Sequence, residues 1–554
     1  DFERDPEGRL VLPVLGSPLE EVVRRGELRV EHDPERGGPV LVHHTQRFPL
    51  HPASNVPQSP DPESLLRLID SQPYRLVPWT EGAAARNYRR FFNIDELAGL
   101  RVELPEVFEA AHALIFELVA KGQVHGLRVD HVDGLADPKA YLERLQRRLK
   151  EVRGSDAPFW VVVEKILVGE ERLRRDWPVA GTTGYEVMNE ILGVLVDPAG
   201  LEPLERLRAE TTGEPEPFAA VVDTAKRLVL DQLFPGELLV LAQKAQEITG
   251  LPEESLRAAL TELVVAFPVY RTYRREGPLD QADAVVLERA FAAAGQRLEG
   301  TARDALERLR ELIETEPDAA RQAWVQGLQQ LTGPVMAKAL EDTAFYRFPR
   351  LLALNEVGGE PDAHGLTPER FHDLQIERRR DWPFTMLATA THDTKRGEDA
   401  RARLAVLSEI PDGWAKAVRA WRDLAAAVRP AELHPKDEHT LYQTLVGVWP
   451  ADLDPADAEA LKGLTERVQG WLTKALREGK ERSGWAPPNE PYERAALGFA
   501  ADLLDPSKSP RFLASFTELV GRIAAAGAVN GLAQLVLKLA LPGIPDVYQG
   551  TEGW

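Results

Sequence analysis

The order of helical and strand-like segments between residues 105 and 164 constrains the fold of this chain more than any other feature. Residues 105–121 (PEVFEAAHALIFELVAK) carry apolar side chains at helical spacing, and a short apolar run over residues 126–130 follows. A second helical segment over residues 138–152 leads into another apolar run, residues 159–164. This alternation predicts parallel βα units, and therefore a fold of the α/β class.

The rest of the chain separates into segments of different character. The first 60 residues are β-rich, and two alternating runs around Gly37-Gly38 predict a hairpin. Long stretches of amphipathic helix follow, and short strand-like runs return at residues 351–356, 385–391 and 541–550. The predicted units are a β-rich segment (1–100), central βα units (101–185), a helical insertion (186–345), a further βα segment (346–409), a second helical insertion (410–490) and a last helix and strand (491–554).

Charge and composition exclude several classes of partner. The formal net charge of −21 argues against nucleic acid or an anionic membrane surface, since both need basic patches. The chain has no cysteine, which excludes disulfides, thiolate catalysis and Cys-ligated zinc and fits the cytosol. No run approaches about 18 consecutive apolar residues, so no membrane span is predicted. The start, DFERDPEGRL, carries no signal peptide and no Met, so we expect a cytoplasmic protein and a chain that is a piece of a longer one.

The stretch GLRVDHVDGL (126–135) places charges at the end of an otherwise apolar strand. Side chains alternate across a strand, so Leu127 and Val129 share one face while Arg128 and Asp130 share the other. In a (β/α)-barrel the second face points inward, and the carboxyl ends of the strands carry the active site. Glu164 ends the next strand and would lie at the same edge.

The spacing of these two carboxylates suits glycoside chemistry. Neighbouring strands are about 4.8 Å apart, and a retaining glycosidase needs its nucleophile and its acid/base about 5–5.5 Å apart. The guanidinium of Arg128 is expected to lower the pKa of Asp130, and the apolar approach to Glu164 is expected to raise the pKa of that acid. The alternative is an internal Arg–Asp ion pair, with Glu164 simply entering a loop.

A third stretch, ATATHDTKR (388–396), also follows a strand-like run and ends in charges. Asp393 and His392 could bind sugar hydroxyls as the ring becomes oxocarbenium-like. The alternative is that Asp393 caps the N-terminus of the helix that follows. His43 and His44 are adjacent on a predicted strand and should point to opposite faces, so no metal site is predicted there.

These three stretches resemble the catalytic segments of the α-amylase superfamily (glycoside hydrolase family 13). Within it, further segments are similar to the maltooligosyl trehalose synthases, the (1→4)-α-D-glucan 1-α-D-glucosylmutases. The segments are NYRRFFNIDELAGLRVE (87–103), GTTGYEV (181–187), FPVYRTY (267–273), FYRFPRLLALNEVGGEP (345–361), LYQTLVGVWP (441–450) and PGIPDVYQGTE (542–552).

The resemblance implies residue roles. Asp130 would be the nucleophile, Glu164 the acid/base and Asp393 the stabiliser of the transition state, with no cofactor and no metal. The remaining motif positions are expected to bind substrate: Arg128, His131, His392, Lys395, Tyr88, Arg89, Phe92, Tyr185, Tyr270, Arg271, Tyr273 and Glu356.

The resemblance also implies a fold and a reaction. The fold would be a (β/α)8 TIM barrel, incomplete at both ends of this chain, with a β-rich N-terminal insertion and large helical insertions. The reaction would convert the reducing-end α-1,4 linkage of maltooligosaccharides, or of dextrins from starch or glycogen, into an α,α-1,1 linkage. A maltooligosyltrehalose trehalohydrolase would then use the product. Two alternatives stay open: an α-glucan hydrolase of the same superfamily, and a non-catalytic glucan-binding protein.

Overall fold

A computed structural model describes residues 8–34, 37–57, 60–316 and 318–550, with only the backbone described at positions 83 and 84. The strands are β1 Leu10–Leu15, β2 Leu28–Asp33, β3 Gly38–His43, β4 Gln46–Pro49, β5 Tyr74–Pro78, β6 Arg90–Phe91, β7 Ile94–Ala98, β8 Gly126–Val129, β9 Trp160–Val163, β10 Gly181–Thr182, β11 Met386–Leu387 and β12 Ile544–Pro545.

The helices outnumber the strands in the described residues. They are α1 Leu19–Arg24, α2 Pro62–Asp70, α3 Gly82–Ala85, α4 Pro105–Ala120, α5 Pro138–Arg153, α6 Tyr185–Leu195, α7 Pro198–Thr212, α8 Phe218–Gln232, α9 Pro235–Thr249, α10 Glu253–Ala266, α11 Gln281–Gly295, α12 Gly300–Glu314, α13 Ala319–Met336, α14 Pro368–Asp381, α15 Glu398–Ala405, α16 Pro411–Leu424, α17 Pro435–Val448, α18 Ala458–Gly479, α19 Glu490–Leu503 and α20 Pro510–Ala540.

The predicted helix–strand alternation between residues 105 and 164 is confirmed. Strands β8, β9 and β10 form a parallel sheet in which Arg128 lies opposite Val162 and Val129 lies opposite Val163. Helices α4 and α5 cover one face of it, because their apolar side chains share a core with Val161 and Val163. Asp137 caps α5 by accepting a hydrogen bond from the Ala140 amide, and Gly154 ends the helix in the left-handed conformation.

The N-terminal segment is built on the predicted hairpin. Strands β2, β3 and β4 form an antiparallel sheet, with Leu28 opposite His43 and His43 opposite Gln46. Strand β1 pairs in parallel with β5, and helices α1 and α2 pack against both sheets in one hydrophobic cluster.

Two larger hydrophobic cores lie in the helical regions. One joins α8 to α13 around Trp324 and Phe291, and the other joins α16 to α20 around Trp414 and Trp421. Helix α7 lies in the first insertion in sequence but packs in the second core, through Leu201, Leu204 and Leu207.

The prediction of a strand at residues 351–356 is wrong. Residues Leu352–Leu354 form a short 3₁₀ turn instead. Side chains satisfy the backbone here, since Gln443 Oε1 accepts from the Leu352 amide at 2.9 Å and Asn355 Nδ2 donates to the carbonyls of Phe345 and Phe348. An apolar run alone does not distinguish a strand from such a buried turn. The strand predicted at 385–391 shrinks to β11, which pairs in parallel with β12.

Helix α20 has an apolar surface that the described residues do not cover. Its first half is buried through Phe512, Phe516 and Ile523. Its second half exposes Val529, Leu532, Val536 and Leu539 to 58–65%. Among the described residues, α20 is also the one helix long and apolar enough to cross a membrane by length and composition. A count of uninterrupted apolar residues overlooks it, because Asn530, Gln534 and Lys538 interrupt the run.

Candidate active site

The predicted nucleophile lies at the open carboxyl end of β8. Leu127 and Val129 pack into the core shared with α4 and α5, so the side chains of Arg128 and Asp130 point to the other face, as predicted. Arg128 Nη2 donates to Asp130 Oδ1 at 2.9 Å. The Asp130 carboxylate is 57% exposed, which leaves it accessible to a ligand while its charge is paired.

Glu164 follows β9 and lies beside this pair. Arg128 Nη2 is 3.6 Å from Glu164 Oε1, and the backbone N–H of His131 donates to Glu164 Oε2 at 2.6 Å. Burial raises the pKa of Glu164 to about 7; the His131 amide opposes the rise, whereas the negative charges of Asp130 and Asp393 add to it. The acid is therefore partly protonated near neutral pH, as a proton donor to a leaving group requires.

His131 adopts a backbone conformation that most side chains avoid. Its φ is 46°, its amide donates to Glu164, and its ring packs against Phe91 of β6. The ring centroids of Phe91 and Phe92 lie 5.1 and 4.6 Å from the imidazole. A Cβ added at Gly134 would approach the His131 ring to 2.4 Å, so glycine is needed for this turn. Phe91 and Phe92 of the NYRRFF segment therefore pack against His131, the residue that follows Asp130.

The third carboxylate, Asp393, belongs to the loop between β11 and α15. Tyr185 Oη donates to Asp393 Oδ2 at 2.7 Å, and Thr391 Oγ1 accepts from the Asp393 amide at 3.1 Å. His392 Nε2 is 3.2 Å from Asp393 Oδ2. Helix α15 begins at Glu398 with Gly397 in the capping position, so the alternative assignment of Asp393 as a helix cap is wrong.

Glu356 holds this loop from behind. Its side chain has no exposed surface, accepts hydrogen bonds from the amides of Lys395 and Arg396, and lies 3.7 Å from Arg401. Glu356 therefore positions the backbone next to Asp393 in this structure and does not face the opening.

A second charged cluster, which sequence reasoning missed, lies beside Lys395. Its Nζ donates to Asp342 at 3.1 Å and is 3.9 Å from Glu341, to which Tyr270 Oη also donates. Burial raises the pKa of Glu341 to about 7. Although burial opposes it, the ammonium groups of Lys395 and Lys338 lower the pKa of Asp342 to about 2. The adjacent acids at the end of the first helical insertion are the only sequence signal for this cluster.

Two residues of the FPVYRTY segment support the nucleophile loop from below. Arg271 is buried and donates to the carbonyls of Asp133 and Leu135, both at 2.7 Å. Tyr273 donates to the Asp133 carboxylate, which also lies 3.3 Å from the buried Lys165 ammonium. Arg271 and Tyr273 thus fix the turn after Asp130, and in this structure they do not line the opening.

Tyr88 and Arg89 directly precede β6. Tyr88 Oη donates to the carbonyl of Asp95 at 2.7 Å, and Arg89 lies among the charges of Glu237, Arg271 and Glu103. The structure brings neither side chain to the three carboxylates. Phe92 lies between His131 and the charged cluster around Lys395. Its ring centroid is 4.6 Å from that of His131 and 5.2 Å from the ammonium of Lys338, which pairs with Asp342.

The prediction that His43 and His44 point to opposite faces is wrong. His44 has a φ of 52° because it starts the turn from β3 to β4, and the two ring centroids lie 4.3 Å apart. Strand alternation ends where the strand ends, so it does not apply to His44.

The three carboxylates can take the three different roles that a retaining glycoside reaction requires. Asp130 is accessible and paired with a cation, Glu164 can carry a proton near neutral pH, and Asp393 is oriented by Tyr185 and His392. These are the roles of a nucleophile, an acid/base and a stabilising group in double displacement.

The chain is similar to known proteins in both sequence and structure. No protein-family model matches the chain. A protein of Mycobacterium tuberculosis (strain ATCC 25618 / H37Rv), provisionally named maltooligosyl trehalose synthase, is 37% identical over 548 residues, which are 99% of this chain and 65% of the relative. The chain therefore spans about two thirds of the length of the relatives it matches.

Solved structures agree with the sequence match. The maltooligosyltrehalose synthase of Arthrobacter ramosus superposes with a TM-score of 0.84 at 35% identity, over 100% of this chain and 66% of that chain. A glycosyltrehalose synthase, DSM5389, superposes with a TM-score of 0.79 at 30% identity, over 99% and 66% of the two chains. In sequence and in structure, the chain is therefore similar to maltooligosyl trehalose synthases along nearly all of its length.

Proposed function

We propose that this chain carries the catalytic carboxylates of an intramolecular transglycosylase, an isomerase that forms maltooligosyl trehalose from maltooligosaccharides. The observation that carries the proposal is the pairing of an exposed, cation-bound Asp130 with a buried, protonatable Glu164 at the ends of neighbouring parallel strands. The names of the relatives support the substrate class.

In this proposal, Asp130 attacks the anomeric carbon of the penultimate glucose while Glu164 protonates the departing O4 of the reducing-end glucose. The released glucose stays bound, turns over and presents its anomeric hydroxyl. Glu164 then removes the proton from that hydroxyl as it attacks the glycosyl–Asp130 ester, so the bond forms with retention. Asp393, held by Tyr185, stabilises the positive charge on the ring in both steps.

Water must be excluded from the covalent intermediate for transfer to win over hydrolysis. Helix α13 and the turn after it reach the site, where Asp342 and Lys395 form an ion pair beside the Asp393 loop. We assign the binding of the released glucose to this side of the site, where Glu341, Asp342, Lys395 and the aromatic ring of Phe92 provide hydroxyl contacts and a stacking surface.

We also infer that the parallel strands belong to one (β/α)8 barrel in the longer protein. The described strands form five separate sheets, three of them parallel: β1 with β5, β8 with β9 and β10, and β11 with β12. Asp130, Glu164 and Asp393 all follow the carboxyl ends of such strands, where barrel enzymes place their active sites.

The reaction is tested with maltopentaose and the 554-residue chain. The mutase removes reducing ends and releases little glucose, whereas an α-glucan hydrolase creates reducing ends and a binding protein changes neither. Asp130→Asn is expected to lower the rate by at least about 10³-fold. If Asp130→Asn keeps full activity, Asp130 is not the nucleophile.

A trapping experiment tests the nucleophile independently of the final product. An α-maltosyl fluoride needs no proton on its leaving group, so Glu164→Gln should form the glycosyl–enzyme and then lack the base that resolves it. Peptide mass spectrometry should find one maltosyl unit on the peptide that contains Asp130. A label on another carboxylate would contradict the proposal.

The partners follow from this chemistry and remain part of the proposal. Substrates are maltooligosaccharides or dextrins derived from starch or glycogen, and a maltooligosyltrehalose trehalohydrolase consumes the product. We further propose a cytoplasmic location and no nucleic-acid or membrane partner, on the ground of the net charge of −21 and the absence of cysteine.

A further inference from the structure

Three potential metal ligands meet at one end of the β2–β3–β4 sheet, in a hydrophobic unit different from the one that carries Asp130. His43 ends β3, and His44 begins the two-residue turn into β4. Glu27 directly precedes β2, and because Leu28 pairs with His43, Glu27 lies at the next position of the hairpin, across from His44.

The distances between these side chains are short. One ligand atom from each of Glu27, His43 and His44 lies within 4.8 Å of the other two, and Glu27 Oε2 is 3.9 Å from His43 Nε2. The other carboxylate oxygen, Oε1, is 3.7 Å from Arg25 Nη1, which leaves Oε2 directed at the histidines. The left-handed φ of 52° at His44 is the feature that brings the second imidazole to the same side.

The buried histidine has an unused nitrogen. His43 is 3% exposed, and within the described part of the chain its Nε2 has no hydrogen-bond partner. An imidazole nitrogen that is buried without a partner costs free energy, so such atoms are rare in native proteins.

We propose that Glu27, His43 and His44 bind a divalent transition-metal ion, with Zn²⁺ as the best fit. Two imidazoles and one carboxylate are a ligand set that zinc accepts, whereas Ca²⁺ and Mg²⁺ prefer oxygen ligands alone. Ligand atoms on a tetrahedral zinc ion are about 3.4 Å apart, so small side-chain rotations close the site. A water molecule or another donor completes the coordination.

The bound ion would join the start of β2 to the turn between β3 and β4. It would act on stability, because an ion that binds only the folded chain raises the midpoint of thermal unfolding. Nothing in this role requires the catalytic carboxylates, so metal binding and transglycosylation are tested separately.

The test uses the 554-residue chain after treatment with a chelator, titrated with ZnCl₂ by calorimetry. We expect one equivalent to bind in a saturable step. His44→Asn should weaken that step at least 10-fold while keeping the fold, since asparagine tolerates a positive φ and position 44 is exposed. Glu27→Gln should weaken it as well. The matched control is His32→Asn, an exposed histidine of β2 outside the cluster, which should bind zinc as the unaltered chain does.

Thermal unfolding gives a second measurement. Zinc should raise the midpoint of the unaltered chain and of His32→Asn but not of His44→Asn, while the three metal-free proteins unfold at similar temperatures. Equal zinc affinity in His44→Asn and the unaltered chain, or the absence of any saturable step, would overturn the proposal.

Discussion

At the residue scale, the state of Glu164 results from opposing local interactions. Burial and the charges of Asp130 and Asp393 favour the neutral acid, and the amide of His131 favours the carboxylate. The balance puts the pKa of Glu164 near 7, above its ordinary value of 4.5. A small change at any of these contacts therefore changes how much of the enzyme holds its catalytic proton.

This pKa predicts the alkaline limb of the pH–rate profile. As the pH rises through about 7, Glu164 loses its proton, and kcat/KM should fall up to tenfold per pH unit. The residual activity of Glu164→Gln on maltopentaose should lack this limb, because an amide does not titrate. Glu170→Gln, at an exposed carboxylate of the next loop, should keep it. A limb unchanged in Glu164→Gln would assign it to another group.

The same proton affects stability. A carboxyl group whose pKa is raised in the folded state contributes stability at low pH and loses it as the pH rises from about 4.5 to 7. We therefore expect the unfolding midpoint of the unaltered chain to fall relative to that of Glu164→Gln across this interval, as measured by calorimetry in matched buffers.

Tyr185 offers a test of the third carboxylate. Tyr185→Phe removes the hydrogen bond to Asp393, and because bonds to charged groups contribute about 1.5–3 kcal/mol, kcat/KM should fall about tenfold or more. The control is Tyr141→Phe, which loses a 2.8 Å bond to His112 between α4 and α5. It should lower stability without lowering the rate. Equal rates in the two variants would show that the hydrogen bond from Tyr185 to Asp393 does not contribute to catalysis.

Residues that are close in sequence were the predictable part of the site. Arg128 and Asp130 share a face through simple alternation, and Glu164 follows from one more βα unit. The bond between Tyr185 and Asp393 joins residues 208 positions apart, and the left-handed φ of His131 and His44 depends on neighbours that the local pattern does not contain. Sequence therefore identified the carboxylates, whereas their positioning contacts needed the structure.

At the element scale, the contact between α6 and β11 aligns Tyr185 with Asp393. Gly184 precedes α6 with a φ of 93°, and a Cβ there would lie 2.6 Å from the Met386 carbonyl oxygen and 2.7 Å from the Ala388 amide. Only glycine meets both requirements, because it has no Cβ and tolerates a positive φ.

This contact predicts a difference between two glycine substitutions. Gly184→Ala combines an unfavourable φ with a backbone clash, whereas Gly213→Ala has a φ of 73° and open space around its Cβ. We expect Gly184→Ala to reduce the free energy of unfolding by about 2 kcal/mol more than Gly213→Ala and also to reduce kcat. Equal losses in denaturant titrations would show that φ alone matters.

Helices and strands could be predicted from the sequence where they are long and have a regular apolar periodicity. Helices α4 and α5 were predicted nearly to the residue because their spacing and end signals are local. The apolar run at residues 351–356 was misassigned because its backbone is satisfied by Gln443 and Asn355 rather than by a strand. Helix α7 was placed with its sequence neighbours, although its leucines complete the core of α16–α20.

At the scale of the whole molecule, the second half of α20 presents four large exposed apolar side chains among the described residues. Val529, Leu532, Val536 and Leu539 are each more than half exposed on one helix. Contiguous exposed apolar surface of this kind favours association and aggregation.

The surface predicts the solution behaviour of the 554-residue chain. A variant with glutamine at Val529, Leu532, Val536 and Leu539 should bind less of a hydrophobic fluorescent dye and should self-associate less in light scattering. Leu114→Gln, at an isolated exposed leucine of α4, is the control and should change neither measurement. If the α20 variant binds dye as the unaltered chain does, the exposed surface lies elsewhere.

The hydrogen bond from the His131 amide to Glu164 has a consequence for motion. The donor belongs to the peptide unit that follows Asp130, so the nucleophile and the acid/base are joined through one peptide plane and one 2.6 Å bond. A displacement of the β8 loop then carries both carboxylates together and preserves their separation. Thermal fluctuations of this loop would change how often the pair meets a substrate, but much less how the pair is spaced when it does.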